Sequence, residues 1–405
     1  MSSAHSEEFL SASAQKAFVP EHRQIMDYNI AQYNKAVAAA LPGFANLEQL
    51  KRKAHLLKWK VIENLDKLLP DFEANFLKNG GKVIWANDAA EARDEINKIL
   101  KKANARTVVK SKSMVTEEIG VDKFLQEQRI EVLASDILRE KYLQADAGIT
   151  GANFLIADTG SIALTENEGN VRFCTTFPRI HIAIAGIEKL IASLADLAIF
   201  WPLLATHGSG QQLTVYNSIL SGPRKQDETD GPEEMYVILL DNGRTDLLAQ
   251  KDQRQGLYCI RCGACLNACP VYKHIGSNAF GTTYGGPIGS LITPHQQGME
   301  EFIHLSQASS LCGKCTEVCP VKIDIQHMLL MNRRDAVQQN LSSKTEQWFW
   351  KIFSKMVSKR LWMDLMGGKM KNWLIGAFFK KHWGTHRKLP HVAKKSFSKQ
   401  YRKKV

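Results

Sequence analysis

Seven of the eight cysteines fall in two short runs. The first is Cys259-Ile-Arg-Cys262-Gly-Ala-Cys265-Leu-Asn-Ala-Cys269-Pro270, and the second is Cys312-Gly-Lys-Cys315-Thr-Glu-Val-Cys319-Pro320. Thiols crowded at gaps of two and three residues point to tight loops around shared metal rather than to a disulfide framework. Cys-x2-Cys-x2-Cys-x3-Cys-Pro is the bacterial ferredoxin spacing for a 4Fe–4S cluster. Three thiolates wrap one face of a cube and turn backbone N–H groups toward it. The fourth, before proline, reaches across to a partner cluster. Structural zinc wants two separate cysteine pairs at tetrahedral distance, and a continuous four-cysteine run followed by proline fits that poorly.

The second run is one cysteine short. Ten residues before Cys319, where a full motif would begin, stands Ser309. Crossed ligation then gives the first cluster Cys259, Cys262, Cys265 and Cys319, and the second only Cys312, Cys315 and Cys269. The first reads as 4Fe–4S. The second reads as 3Fe–4S, as 4Fe–4S with Ser309 or another non-cysteine ligand, or as 4Fe–4S with one iron open. Arg261, Lys273 and Lys314 lie beside the ligands and would raise cluster potential, although a solvated surface is the plainer reading. Cys174 follows Phe173 in a stretch that reads as strand, and it is expected to be a small buried residue.

Upstream, the pattern is α/β. A helical segment occupies residues 1–70, with Asn46 as a cap and apolar positions from Leu47 to Leu68 stepping by three or four. Residues 71–250 alternate strands and helices. Strands are expected at 82–85, 107–110, 130–133, 153–157, 161–165, 180–184 and 235–241, and helices at 88–103 and 115–126. Such alternation argues a mostly parallel sheet, with an antiparallel hairpin around Gly160. The cysteine-bearing segment, 251–335, reads as a helical ferredoxin-type domain, and its loop from Gly281 to Gly289 is expected to pack close to the second cluster.

Chemistry in the α/β part is faintly marked. Lys110-Ser111-Lys112-Ser113 lies between a strand and a helix, where free N–H groups and two ammoniums would suit an anion. Polar turns at Asp146–Gly151, Asp158–Ser161 and Thr165–Asn170 would line one cleft, or serve only as turns. His181, inside a strand, reads as hydrogen-bonded structure before it reads as a base. Catalytic residues are unassigned, with Lys110, Lys112, His181 and Arg244 as weak candidates. No Gly-x-Gly-x-x-Gly, Walker A or Gly-x-Ser-x-Gly motif signals a nucleotide or hydrolase site. An iron–sulfur chain of this kind is an electron relay unless a partner brings the chemistry.

Charge adds one constraint. Of the 405 residues, 344–405 hold 17 Lys and Arg against Glu346 and Asp364, whereas the remainder is slightly acidic. A nucleic-acid-binding core is not indicated, because such a core carries its positive charge on the folded surface. The same region, 336–405 in the domain division, holds Trp348, Trp350, Trp362, Trp373 and Trp383, joined by Phe349, Phe353, Phe378 and Phe379. Basic residues interleaved with aromatics suit a helix on an anionic membrane surface. Docking on an acidic partner, or packing on the body, are the other readings. No secretory signal or spanning segment is visible, so the expected location is cytoplasmic, with peripheral contact at the inner face of the membrane.

Several segments resemble a known family. Ala145–Asn153, Asp158–Ser161, Glu168-Gly-Asn170, His181–Lys189, Ser221-Gly-Pro-Arg224, Gly231-Pro-Glu-Glu234 and Asp241-Asn-Gly-Arg244 are similar to the LUD domain. Followed by the two cysteine runs, the whole resembles the iron–sulfur proteins of the lactate-utilisation system, the LutB family, over roughly residues 60–335. The resemblance implies a fold of the NagB/RpiA/CoA-transferase type. It implies a role in oxidising L-lactate to pyruvate with two partners, a heterodisulfide-reductase-like cysteine-rich subunit and a second LUD protein. The leading expectation is an electron-transfer subunit that relays electrons singly through two clusters. The alternative is a self-contained 2-hydroxy-acid oxidoreductase that uses the LUD cleft and an open cluster iron, with Lys110, Lys112 or Arg244 pairing the carboxylate.

Overall fold

The computed structural model describes residues 3–133, 139–341, 344–364, 367–383 and 388–401. The chain divides into a large unit ending at Gln338 and a smaller one from Gln339 onward.

Four helices open the large unit, Ala4–Ala17, Pro20–Ala40, Leu47–Ile62 and Leu65–Lys78. Asn46 caps the third, its Oδ1 accepting the Gln49 N–H at 3.0 Å. The apolar face expected to run unbroken from Leu47 to Leu68 is interrupted after Ile62, and Asn64 starts the fourth helix.

Among the described residues ten strands follow. They are β1 (Lys82–Ala86), β2 (Thr107–Lys110), β3 (Glu131–Leu133), β4 (Ala147–Gly151), β5 (Phe154–Ile156), β6 (Ser161–Glu166), β7 (Ile180–Gly186), β8 (Leu190–Ile191), β9 (Tyr216–Leu220) and β10 (Glu234–Leu240). Six form a parallel sheet in the order β1-β10-β7-β4-β2-β3. Every residue of β7 is buried, as expected of a parallel sheet covered on both faces. Period-two alternation divides these strands between two cores. Ile180, Ile182, Ile184, Tyr236, Ile238 and Leu240 face one core, and Ala183, Ala185, Met235, Val237 and Leu239 face the other.

A smaller sheet, β8-β5-β6-β9, holds the expected hairpin. Its turn depends on Gly160, at φ +58°, where a Cβ would run into the backbone of Asn75 and Phe76. The dicluster segment continues the second core. Leu257, Tyr258, Ile260, Ile288, Val321, Ile323 and Met328 pack in the same apolar cluster as Ala183, Val237 and the hairpin residues Phe154 and Ile162. One hydrophobic core therefore joins the cysteine-bearing helices to the α/β domain, and relative movement of the two would open that core.

Four local expectations are corrected. Residues 147–151, read as part of a polar turn, form β4 between β2 and β7. The loop expected from Gly281 to Gly289 becomes a helix at Gly286, running Gly286–Gln297. Cys174 lies in a helix, Asn170–Thr176, not a strand. The Glu166 carboxylate caps that helix by accepting the N–H groups of Val171 and Arg172 at 2.8 and 2.9 Å. The thiol is buried, which pushes it up to about 12. The helix expected at 115–126 is two, Met114–Glu118 and Val121–Glu127, parted by Gly120 at φ +63°.

The smaller unit holds helices Lys344–Ser358, Arg360–Asp364, Gly368–Trp383 and Phe397–Tyr401. Trp348, Trp350, Phe353, Trp362 and Trp373 are exposed. The side chains of Phe378, Phe379 and Trp383 lie outside the described residues. Among the described residues no helix is long and apolar enough to cross a membrane.

Candidate functional site

The two cysteine runs fold as the same loop. Arg261 and Gly263 sit at φ +61° and +79°, and their counterparts Leu311 and Gly313 at φ +52° and +81°. Each loop enters a short helix, Ala264–Ala268 or Lys314–Val318. In the first loop the Arg261 N–H donates to Cys259 Sγ at 3.3 Å. In the second the Leu311 N–H donates to Ser309 Oγ at 3.2 Å. The Ser309 hydroxyl thus holds the hydrogen-bond position of the Cys259 thiol.

The thiols gather in two sets drawn from both runs. Cys259, Cys262, Cys265 and Cys319 line one cavity of about 80 Å³, with Ile260, Ile288, Val321 and Ile323 among its apolar walls. Cys269 lines a separate hollow with Ser309 and with Gly286 and Pro287, which open the helix Gly286–Gln297. Cys269, Cys312 and Cys315 feel one another's charge. The glycine-rich loop borders both places, because Tyr284, Gly285 and Ile288 reach the first cavity.

The donor set suits iron–sulfur clusters. Burial pushes the Cys265 and Cys262 thiols well above their ordinary range, and Cys319 and Cys315 to about 11. Backbone N–H groups oppose that rise, from Ala264 at Cys262, Ile288 at Cys265, Val321 and Ile323 at Cys319, and Val271 and Tyr272 at Cys269. N–H groups aimed at sulfur in an apolar cage are what a bound, delocalised anion needs.

Beside the four-thiol cavity lies a cleft. The chain runs outward from β2 to β3, then returns on the other side of β2 as β4 and continues to β7 and β10. Crossovers diverging from β2 and β4 leave a crevice above the strands' C-terminal ends, where α/β sheets bind ligands. Here the cleft measures about 220 Å³. Ser111–Ser113 follow β2, Gly151–Asn153 end and follow β4, and Gly186, Glu188 and Lys189 end and follow β7; Arg244, Arg261 and Tyr284 are also part of its lining. Arg261 and Tyr284 line both the cleft and the thiol cavity.

A closed circuit of buried groups connects the two. Arg244 Nε donates to Glu188 at 2.5 Å, and its Nη1 and Nη2 each donate to Glu118 at 2.9 Å. Tyr284 Oη donates to Glu118 at 2.5 Å. The Arg261 guanidinium stacks over the Tyr284 ring at 3.9 Å and lies 3.8 Å from Glu188. Burial alone would raise the Glu188 carboxyl, but Arg244, Lys189 and Arg261 overcome it and hold it at about 2. Beneath it, Lys58 donates to the Glu188 and Leu190 carbonyls at 2.6 and 3.2 Å, and burial lowers that ammonium to about 7.

Of the four weak candidates, Lys112 and Arg244 line the cleft. Lys112 sits at its surface, 3.5 Å from Glu168. The Arg244 guanidinium is committed to Glu118, Glu188 and the Asp241 carbonyl. Lys110 is buried against Thr116 and Asp122, each at 3.2 Å. His181 is fully buried, shares a 2.8 Å hydrogen bond with Thr150, and is lowered to about 3 by burial. Sequence reasoning passed over Glu118, Glu188, Lys189 and Tyr284. One signal was available: Glu188 and Lys189 lie just past a fully buried, mostly apolar parallel strand, at the end where such sheets keep their ligands.

Residues 69–240 match the LUD domain family, and residues 255–323 match the 4Fe-4S dicluster domain family. The chain is 37% identical to lactate utilization protein B of Bacillus velezensis, with 73% of each chain covered. It is 36% identical to lactate utilization protein B of Bacillus subtilis, over 73% of this chain and 72% of the relative. It is also 35% identical to the uncharacterized electron transport protein YkgF of Escherichia coli K12, with 88% of each covered. Among solved structures, a DUF162 family protein from Deinococcus radiodurans aligns over 44% of this chain and 98% of its own, at 21% identity and a TM-score of 0.34, a likeness that carries no argument. With a LUD domain of parallel α/β architecture fused through one core to a 4Fe–4S dicluster domain, and with such relatives along most of its length, the chain belongs to the lactate utilization protein B family.

Proposed function

We propose that this chain is the electron-transfer subunit of a multi-protein system that oxidises L-lactate to pyruvate. The observation that carries the reading is the pairing of two thiol sets in one helical unit, the first of them sharing a wall with the cleft of the α/β domain. The names of the relatives support the substrate and the redox role. When bound, each cluster takes up and releases one electron, as is needed if the two electrons of a 2-hydroxy acid are to leave singly.

Cys259, Cys262, Cys265 and Cys319 would hold a 4Fe–4S cluster. Cys269, Cys312 and Cys315 would hold the second, with Ser309 as its fourth ligand. The support for Ser309 is its hydroxyl, which accepts the same backbone hydrogen bond as the Cys259 thiol. The chain's remaining contribution is positional. The common core fixes the thiol loops against the sheet, and the apolar walls keep water from the sulfur cage. Partners would be a cysteine-rich, heterodisulfide-reductase-like subunit and a second LUD protein. The exposed aromatic and basic surface of the C-terminal unit favours peripheral contact with an anionic membrane.

The test is anaerobic reconstitution. Iron and sulfide analysis should return about eight of each per chain. The purified chain should be reduced by lactate only when both partner proteins are present. Lactate oxidation by the assembled system with this chain omitted would refute the reading.

A further inference from the structure

The cleft carries polar atoms that find no partner among the described residues. Arg261 Nε and Nη1 are buried without an acceptor, and Glu188 Oε1 is buried without a donor. Among the described residues no hydrogen bond or ion pair is formed by the Lys189 ammonium, which is partly buried and which desolvation lowers to about 8. Buried polar groups left unpaired are uncommon and costly, and here they share the wall of one cavity.

Charge bookkeeping at the cleft gives the same direction. Lys112 is paired with Glu168, and Arg244 is spanned by Glu118 and Glu188. Arg261 keeps only a distant share of Glu188. Among the described residues, Lys189 and most of the Arg261 guanidinium therefore have no close carboxylate partner. The thiolates of a loaded cluster would draw on Arg261, which also lines their cavity. Lys189 lines the cleft and not the thiol cavity.

The pattern of unmet groups describes a ligand. Guanidinium N–H groups and an ammonium ask for a carboxylate. The single unmet carboxylate oxygen of Glu188 asks for a hydroxyl donor. A molecule with one carboxylate and one adjacent hydroxyl answers both. The cleft, at about 220 Å³, has room for roughly seven waters at about 30 Å³ each, enough for an acid of three or four carbons. We propose that the cleft of this chain is itself a binding site for a small 2-hydroxycarboxylate, with Arg261 and Lys189 on the carboxylate and Glu188 accepting from the hydroxyl. The inference rests on the electron-transfer reading above and adds where the acid is held: against Arg261, a residue that stands within the thiol loop between Cys259 and Cys262.

Specificity follows from the chemistry. A site built to accept a hydroxyl hydrogen bond rejects an analogue lacking it, because its acceptor is then left buried and unpaired. An acid with no hydroxyl should bind more weakly. A 2-oxo acid should also bind more weakly, since its ketone oxygen faces the Glu188 carboxylate without a proton between them.

The test is calorimetric titration of the iron-loaded full chain under anaerobic conditions, without partners, using L-lactate, propionate and pyruvate. L-lactate should bind at least about tenfold more tightly than either analogue. Lys189→Gln should weaken all three acids, and Glu188→Gln should erase the preference for the hydroxyl. Iron content and far-UV circular dichroism report folding of each variant. Lys189→Gln breaks no hydrogen bond or ion pair among the described residues and removes only a charge near Glu188, so it carries the test if Glu188→Gln does not fold. Absence of binding at high millimolar acid, equal affinity for lactate and propionate, or unchanged affinity in a folded Lys189→Gln variant would each overturn the inference. Failure of the two readings is distinguishable. Reduction of this chain by lactate through its partners, with no acid bound to the chain alone, removes the binding site and leaves electron transfer standing. Binding without any reduction does the reverse.

Discussion

Replacing Glu188 by glutamine removes a charge from the centre of the buried circuit. In the folded protein the carboxyl is held at about 2, against an ordinary value of 4.5, because burial, which would raise it, is outweighed by Arg244, Lys189 and Arg261. At about 1.4 kcal/mol per unit, that displacement stabilises the fold by about 3 kcal/mol at neutral pH. Breaking one partner out of a buried ion pair costs about 3–5 kcal/mol by an independent route, and the two agree. The variant leaves Arg244, Arg261 and Lys189 facing Glu118 alone. The sign with pH follows from a folded value below the unfolded one. The stabilisation is complete above about pH 4.5 and is lost as pH falls toward 2, so wild type and variant should converge in acid. The assay is urea unfolding of the iron-loaded protein at pH 7, followed by far-UV circular dichroism. With a slope near 3 kcal/mol/M, the midpoint should fall by about 1 M. In a double-mutant cycle with Arg244→Met, the joint loss should be smaller than the sum of the single losses. A midpoint shift below about 0.3 M, or strict additivity, would refute the argument that this circuit locks the dicluster segment to the sheet.

Ser309→Ala should lower the iron content by about one per chain and produce the paramagnetic oxidised signal of a 3Fe–4S cluster; unchanged iron and a silent oxidised spectrum would reduce Ser309 to a turn residue. Gly160→Ala should destabilise the protein by about 2–4 kcal/mol, from a positive φ and a collision with the helix carrying Asn75, and a thermal melt matching wild type would show that the hairpin turn can shift. Replacing Trp348, Trp350 and Phe353 together by serine should abolish co-sedimentation of the full chain with anionic vesicles at low salt, whereas wild type should sediment and be released as salt rises; equal sedimentation of the two proteins would remove the membrane reading of that helix.

What was legible in the sequence was what is written locally. Seven of the ten strands are apolar runs bounded by turn residues, and their observed limits differ from the expected ones by a residue or two, whereas β4, β8 and β9 were not expected as strands. The cysteine spacing carries the loop geometry in its own backbone. Cys174 misled because Phe173-Cys174 looks like strand in isolation, while the carboxylate of Glu166, five residues before Val171, draws the chain into a helix. Gly120 interrupts an otherwise amphipathic helix, and a single glycine in such a pattern does not announce a break. The cleft was the least legible part. Glu118 meets Tyr284 across 166 residues and Arg244 across 126, and no periodicity connects them. Glu188 and Lys189 carry no local signature of a site, and it is the parallel sheet that places them at the C-terminal end of β7 beside the cleft.

The most direct measurement of the central claim is EPR of this chain, freeze-quenched after anaerobic mixing of the three-protein system with L-lactate. The account predicts that reduced-cluster signals of this chain rise within the turnover time, and that they fail to appear when lactate is replaced by propionate. Pyruvate formed at the full rate while this chain's clusters stay oxidised would contradict it.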